Sequence, residues 1–239
     1  AVLVLAGDID VPTARALVEK RFGSFPAGPK QQPVVAPVPT LAAPKSEIMK
    51  DQVATTRLYR WWAVPGLNNP DTVPLTVGMS VLGGLSSSRL DNALVRQEKL
   101  AVGVTASVQT FAQMGFAEIT ADVRPGVDVA LVNKRLDELL GELMTKGPTA
   151  DEVQRVATRT VSETISGLES VGGFGGKSVT LAEGALYSND PGFYRKQLAE
   201  YARATPATVR AAMQKWLSRP VYQLTVEPGE RAAYEEAAR

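Results

Sequence analysis

Val102-Gly103-Val104-Thr105-Ala106-Ser107-Val108-Gln109, followed by Ala117-Glu118-Ile119-Thr120-Ala121-Asp122-Val123, alternates apolar and polar residues through two successive segments. A strand puts consecutive side chains on opposite faces, so each segment has one buried and one wetted face; adjacent in sequence, the two form an antiparallel hairpin. The segments on either side read differently. Upstream, 71–82 and 88–99 are helical, separated by Gly83-Gly84 and a serine run that stop one helix and cap the next. Downstream, Val132, Leu136, Leu139, Leu140 and Leu143 form a helical stripe ended by Gly147-Pro148. Thr149-Ala150-Asp151-Glu152 is a capping box for a further helix lined by Val153, Val156, Val161 and Leu168. Asp190-Pro191 and Thr205-Pro206 each open another, the second carrying Val209, Ala212, Met213, Trp216 and Leu217.

Strands are expected over 46–51, 56–64 and 221–226. In the second of these, Trp61 and Trp62 are adjacent, so alternation sends one ring into the core and leaves the other outside. Strands and helices occur in runs without regular βαβ alternation. The fold class is therefore α+β, an antiparallel sheet with helices packed on one face.

At the start, Val2-Leu3-Val4-Leu5-Ala6 reads as a buried strand, and Val11–Phe22 as a helix with Pro12 in its first turn. Pro26, Pro29, Pro33, Pro37, Pro39 and Pro44 then make a semi-rigid linker. A strand and a helix cannot form a domain alone. The expected organisation is 1–25 as the end of a truncated preceding domain, 26–46 as linker, 47–228 as the α+β domain, and 229–239 as a connector or tail.

The 239 residues are 44% hydrophobic and 21% charged, with a net charge of +1. These are globular values that give no electrostatic footprint for nucleic acid, and no apolar run reaches the length of a membrane span. Histidine and cysteine are both absent. Zinc that activates water is held by imidazole or thiolate in nearly every known arrangement, so this chain has no zinc ligands of that kind. Ser-His-Asp and Cys-His systems are excluded for the same reason. Gly172-Gly173-Phe174-Gly175-Gly176-Lys177-Ser178 resembles a phosphate loop only superficially. Val171 stands where the first glycine belongs, and a helix rather than a strand precedes the run.

Several phrases occur in a fixed order: Leu3-Val4-Leu5-Ala6-Gly7-Asp8-Ile9-Asp10, Val64-Pro65-Gly66, Leu82-Gly83-Gly84, Ser88-Arg89-Leu90, Leu94–Ala101, Lys146–Val153 and Tyr187–Pro191. Together they resemble the pitrilysin/insulysin family of zinc metallopeptidases, in particular its bacterial, mitochondrial-processing-peptidase-like branch. In that family two similar α+β domains close over an extended peptide, and the first carries an H-x-x-E-H zinc motif. The resemblance implies that this chain begins after that motif and runs through the second, substrate-enclosing domain, inactive on its own. It implies no catalytic residue and no metal here; the zinc belongs to a missing region or to a partner subunit, and the substrate is a peptide. It also places Arg96 at the arginine that contacts a substrate carbonyl across the cleft, while the tyrosine that accompanies it falls on Val102 or Gly103. Gly83, Gly84 and Arg89 are its structural motif residues, and a periplasmic location is the family expectation. The alternative is a non-catalytic structural or assembly domain of the same fold.

Overall fold

The computed structural model describes residues 2–29 and 35–230. They divide into two compact units, one formed by Ala1–Pro37 with Thr158–Glu200, the other by Val38–Ala157 with Tyr201–Arg239. The expected linker therefore lies partly, at 30–34, and the expected tail mostly, at 231–239, outside the described residues.

The second unit contains a five-stranded sheet, β1 (Lys45–Asp51), β2 (Arg57–Pro65), β3 (Ala101–Thr110), β4 (Met114–Val123) and β5 (Tyr222–Pro228), in the order β1-β5-β2-β4-β3. The hairpin is β3–β4, with Ala106 opposite Ile119 and Val104 opposite Ala121. Two details differ from expectation. The sheet is mixed, because β1 runs parallel to β5 whereas every other pair is antiparallel. Far apart in sequence, β1 and β5 have no tight turn to dictate their direction. Secondly, the ladder shifts between Ala101 and Gly103, so Ala101 turns into the core and Val102 faces solvent. A β-bulge adds one residue and reverses the phase on that side of it.

Along β2, Leu58, Arg60, Trp62 and Val64 are buried, as are Ala117, Ile119, Ala121 and Val123 on β4. Against this face pack α2 (Thr72–Met79), α3 (Val129–Lys146) and α7 (Pro206–Leu217). All five residues of the α3 stripe and all five named on α7 are buried. Helix α2 is apolar on every side, as suits an element covered all round. It continues as a π-helical turn over Ser80–Gly84, and a second π-helical segment spans Asp91–Gln97 where an ordinary helix is expected. Helix α4 (Ala150–Gly167) begins with the expected capping box: Thr149 N–H donates to Glu152, and Glu152 N–H to Thr149 Oγ1.

In the first unit, α1 (Val11–Phe22) is capped by Asp10, which accepts from Thr13 N–H at 2.8 Å. Residues 2–6 form no strand, and Val2, Leu3 and Leu5 are exposed. An extended segment becomes a strand only with a ladder partner, and none is present among the described residues. The glycine-rich turn leads into α5 (Lys177–Ser188), which α6 (Phe193–Arg203) follows.

Candidate functional site

Arg96 lies on the π-helical segment just before β3, with its side chain 58% exposed. Its Nε donates to Asp91 Oδ2 at 2.7 Å and its Nη2 to the Ser86 carbonyl at 2.8 Å. These contacts hold the guanidinium plane against its own loop. Among the described residues Nη1 donates to no acceptor, so one edge of the fork faces solvent. The chain leaves this segment through Lys99, whose φ of 56° is left-handed, and Arg124 Nε fixes the turn by donating to the Lys99 carbonyl at 2.7 Å. Glu98 accepts from Arg135 at 2.6 Å, which holds its carboxyl below the ordinary range. Glu98 is thereby committed to Arg135, and Arg96 is held by Asp91 and the Ser86 carbonyl instead. Further along the chain, the bulge at the start of β3 displays Val102, 49% exposed, whose side chain can neither donate nor accept a hydrogen bond.

Arg89 sits deeper. Its Nε and Nη2 grip the two Glu152 oxygens at 2.8 and 2.7 Å, and Nη2 also reaches the Gly147 carbonyl at 3.2 Å. Gly147 adopts φ 77° at the C-terminus of α3, a conformation that favours glycine. Arg89 thus ties the start of the π-helical segment to the α3–α4 turn. Burial pushes the Glu152 carboxyl up, but hydrogen bonds from Arg89 and from the Thr149 N–H outweigh it and hold it below its ordinary 4.5. A depressed carboxylate contributes stability above its unfolded pKa and loses it as the pH falls through the folded one. Glu152→Gln is expected to cost about 2 kcal/mol at pH 7, since hydrogen bonds to a charged group carry that much. The cost should shrink as the pH falls below 4.5, where the unfolded chain takes up a proton at this carboxyl, and should be lost once the folded carboxyl is protonated as well. Urea midpoints of both proteins at pH 7 and pH 3 check the difference.

The sheet face opposite the helices carries an aromatic row. Tyr59 stacks on Trp61 at 4.9 Å, and Trp61 on Tyr222 at 5.7 Å. Trp61 Nε1 donates to Glu118 at 3.0 Å. As the alternation requires, Trp62 is the buried ring and Trp61 the outer one. At one end of the row a groove of about 460 Å3 is lined by Leu41, Trp61, Met114, Phe116, Pro220 and Tyr222.

Zinc does not fit this chain. Among the described residues no group of three Asp or Glu side chains converges, and the sequence supplies no imidazole or thiolate. The glycine-rich turn is equally unsuited to phosphate. Lys177 N–H donates to the Ser170 carbonyl at 2.9 Å, and both N–H and Oγ of Ser178 donate to the Val171 carbonyl, so these donors close the turn on itself. Arg60 is a residue that sequence reasoning passed over. It is buried beside Trp62 and donates to Asp137 and Asn133 on α3. Its signal was available, since Arg60 is a charged residue in phase with Leu58, Trp62 and Val64.

Comparison with known proteins gives a consistent result. The family described as "Peptidase M16 inactive domain" matches residues 1–160. A Streptomyces coelicolor protein named as an uncharacterized zinc protease is 29% identical over 232 residues, covering 91% of this chain and 48% of its own length. A protease from Helicobacter pylori shares the fold with a TM-score of 0.79 at 19% identity, over 93% of this chain and 54% of its own. The peptidase M16 inactive domain from Pseudomonas fluorescens does so at 0.75 and 17%, over 96% and 54%. The chain thus spans about half the length of each of these three proteins. No described helix is long and apolar enough to cross a membrane.

Proposed function

Because the chain belongs to the M16 peptidase family as its inactive domain, we propose that it serves as the substrate-enclosing wall of a pitrilysin-like zinc metalloendopeptidase. The zinc and the attacking water belong to another domain or subunit; this chain orders an extended peptide and shields it from solvent. One observation carries the reading: a match to the inactive domain over residues 1–160, in a sequence without any imidazole or thiolate. In this proposal residues 1–25 close the preceding, zinc-bearing domain, 26–46 link it to the enclosing domain at 47–228, and 229–239 are a connector or tail. We place the parent protein in the periplasm on the family resemblance alone, which osmotic-shock fractionation tests.

Arg96 is the residue proposed to meet the substrate. Its fork is pre-oriented by Asp91 and the Ser86 carbonyl, and its free edge can donate to a peptide carbonyl without rearrangement. In the zinc-bearing parent, Arg96→Ala is expected to lower kcat/KM about 10-fold, with Arg96→Lys intermediate, because a point charge replaces a planar fork. The melting temperature should stay unchanged, and an unaltered kcat/KM would remove the role. Val102 and Gly103, which bring no phenol to this place, favour a second reading: an assembly domain that never touches substrate. An intact H-x-x-E-H motif upstream in the parent, together with an Arg96 effect, decides for the enclosing wall.

A further inference from the structure

The π-helical segment that carries Arg96 ends in a strained bend. Lys99 has φ 56°, and among the described residues only Asn189 shares a left-handed backbone without being glycine. Asparagine visits that region readily; lysine does not, because its Cβ crowds the following carbonyl oxygen. Three hydrogen bonds nonetheless fix the bend. Glu98 N–H donates to the Ala93 carbonyl at 2.9 Å, Leu100 N–H to the Leu94 carbonyl at 2.8 Å, and Arg124 Nε to the Lys99 carbonyl at 2.7 Å. Arg135 adds a fourth restraint through the Glu98 carboxyl. Glycine at position 99 could make the same backbone bonds without the crowding. A non-glycine residue held in this region by its surroundings points to a use for its side chain.

The charges indicate what that use is. Lys99 is exposed, and neither it nor Arg124 forms a salt bridge among the described residues. Arg124 spends its Nε on the Lys99 carbonyl, which leaves its two Nη groups without an acceptor among the described residues. The surrounding carboxylates are already engaged. Asp91 is held by Arg96, Glu98 by Arg135, Glu138 by Arg135 and Lys134, and Asp122 by Arg57, while Asp128 caps α3 by accepting from Ala130 N–H. Two cations therefore meet at one backbone carbonyl without a counter-charge of their own, in a chain whose net charge is only +1. Charge complementarity at such a corner selects an acidic ligand.

We propose that Lys99 and Arg124 are specificity-determining residues that receive an acidic side chain, Asp or Glu, of the substrate peptide. The proposal rests on the reading of this chain as an enclosing wall in which Arg96 meets a peptide carbonyl. A main-chain contact is the same for every peptide sequence, so Arg96 cannot discriminate among them. Lys99, three residues further on, adds that discrimination: its ammonium is a point charge, and the free Nη edge of Arg124 is a planar donor for the same carboxylate.

The test uses the zinc-bearing parent and fluorogenic peptides with amidated C-termini, in pairs that differ only by Glu or Gln at one position, scanned on both sides of the scissile bond. At one position the Glu peptide is expected to exceed its Gln partner about 10-fold in kcat/KM, the gain from one charge-assisted contact. Fluorescence anisotropy with the zinc-free parent should give the same order of binding, and added salt should compress it. Lys99→Gly should lower the Glu/Gln ratio while raising the urea midpoint, because it removes the charge and relieves the bend together. Lys99→Gly combined with Arg124→Met should bring the ratio to one; if the double variant does not fold, Lys99→Gly decides alone. Lys134→Gln, which removes a neighbouring cation that already faces Glu138, should keep the ratio. Arg96→Ala should slow both peptides of a pair alike. A ratio of one at every position, a ratio that survives Lys99→Gly, or one that Lys134→Gln lowers equally overturns the proposal and leaves the enclosing wall standing. A parent that neither binds nor cleaves any of the peptides overturns both.

Discussion

The isolated chain is expected to carry far less than one equivalent of zinc and to hydrolyse no peptide above the buffer rate, and to enter a hydrolytic complex only with the zinc-bearing half present. The ground is chemical. Without histidine and cysteine, only carboxylates remain as charged ligands, and the best-placed of them are already committed. Glu152 is held by Arg89, Glu98 by Arg135, and Asp71 by Lys215 and the Trp216 indole. Scattered carboxylates suit harder, oxygen-seeking ions and give zinc no tetrahedral site. Enzymes accelerate hydrolysis by roughly a millionfold or more, so adding the zinc-bearing half should turn an undetectable rate into a measurable one. Metal analysis of the purified chain and a fluorogenic peptide assay, each with and without the other half, read both quantities. Turnover by the chain alone, with zinc bound to it, would end the proposed division of labour.

What the sequence allowed to be read was what repeats locally. The β3–β4 alternation, the α3 stripe and both threonine-headed helix starts each set a period or a cap within a few residues, and each forms as expected. The Trp61–Trp62 division follows from the same period of two. What escaped depends on partners that are distant in sequence. The parallel direction of β1 is set by β5, with Lys45 opposite Tyr222. The bulge that exposes Val102 is a backbone offset with no compositional mark. The buried Arg60 finds Asp137 across 77 positions, and no periodicity connects a strand residue to a particular helix carboxylate. Residues 2–6 show the opposite case: their composition suits a strand, but composition alone cannot supply a neighbour. Around the candidate site, Arg96 could be singled out only through the resemblance, since exposed arginines near helix ends are common. The acceptors that hold its fork became visible only in three dimensions.

Gly83→Ala is expected to destabilise the chain by about 3 kcal/mol, the upper end of what overpacking costs. Helix propensity alone argues for the reverse sign, because alanine in place of a helical glycine gains about 1 kcal/mol. The π-helical turn over Ser80–Gly84 presses Gly83 directly onto β3. A Cβ there would stand 2.5 Å from the Ala106 backbone nitrogen and 2.7 Å from the Ala106 Cβ. Neither atom belongs to a flexible side-chain end, so relief requires the turn and the strand to separate. Val81 and Leu82, both buried, would lose their packing with it. Gly83 does not have a positive φ, so the cost would come from the contact and not from backbone strain. Gly141 in α3 provides the control: a Cβ added there meets nothing within 4 Å. Gly141→Ala should therefore stabilise by roughly 0.5–1 kcal/mol through the unfolded state. Urea unfolding of the two variants beside the parent should show midpoints moving in opposite directions. A Gly83→Ala midpoint at or above that of the parent would mean that the helix layer is not seated on β3 as closely as the Gly83–Ala106 approach requires.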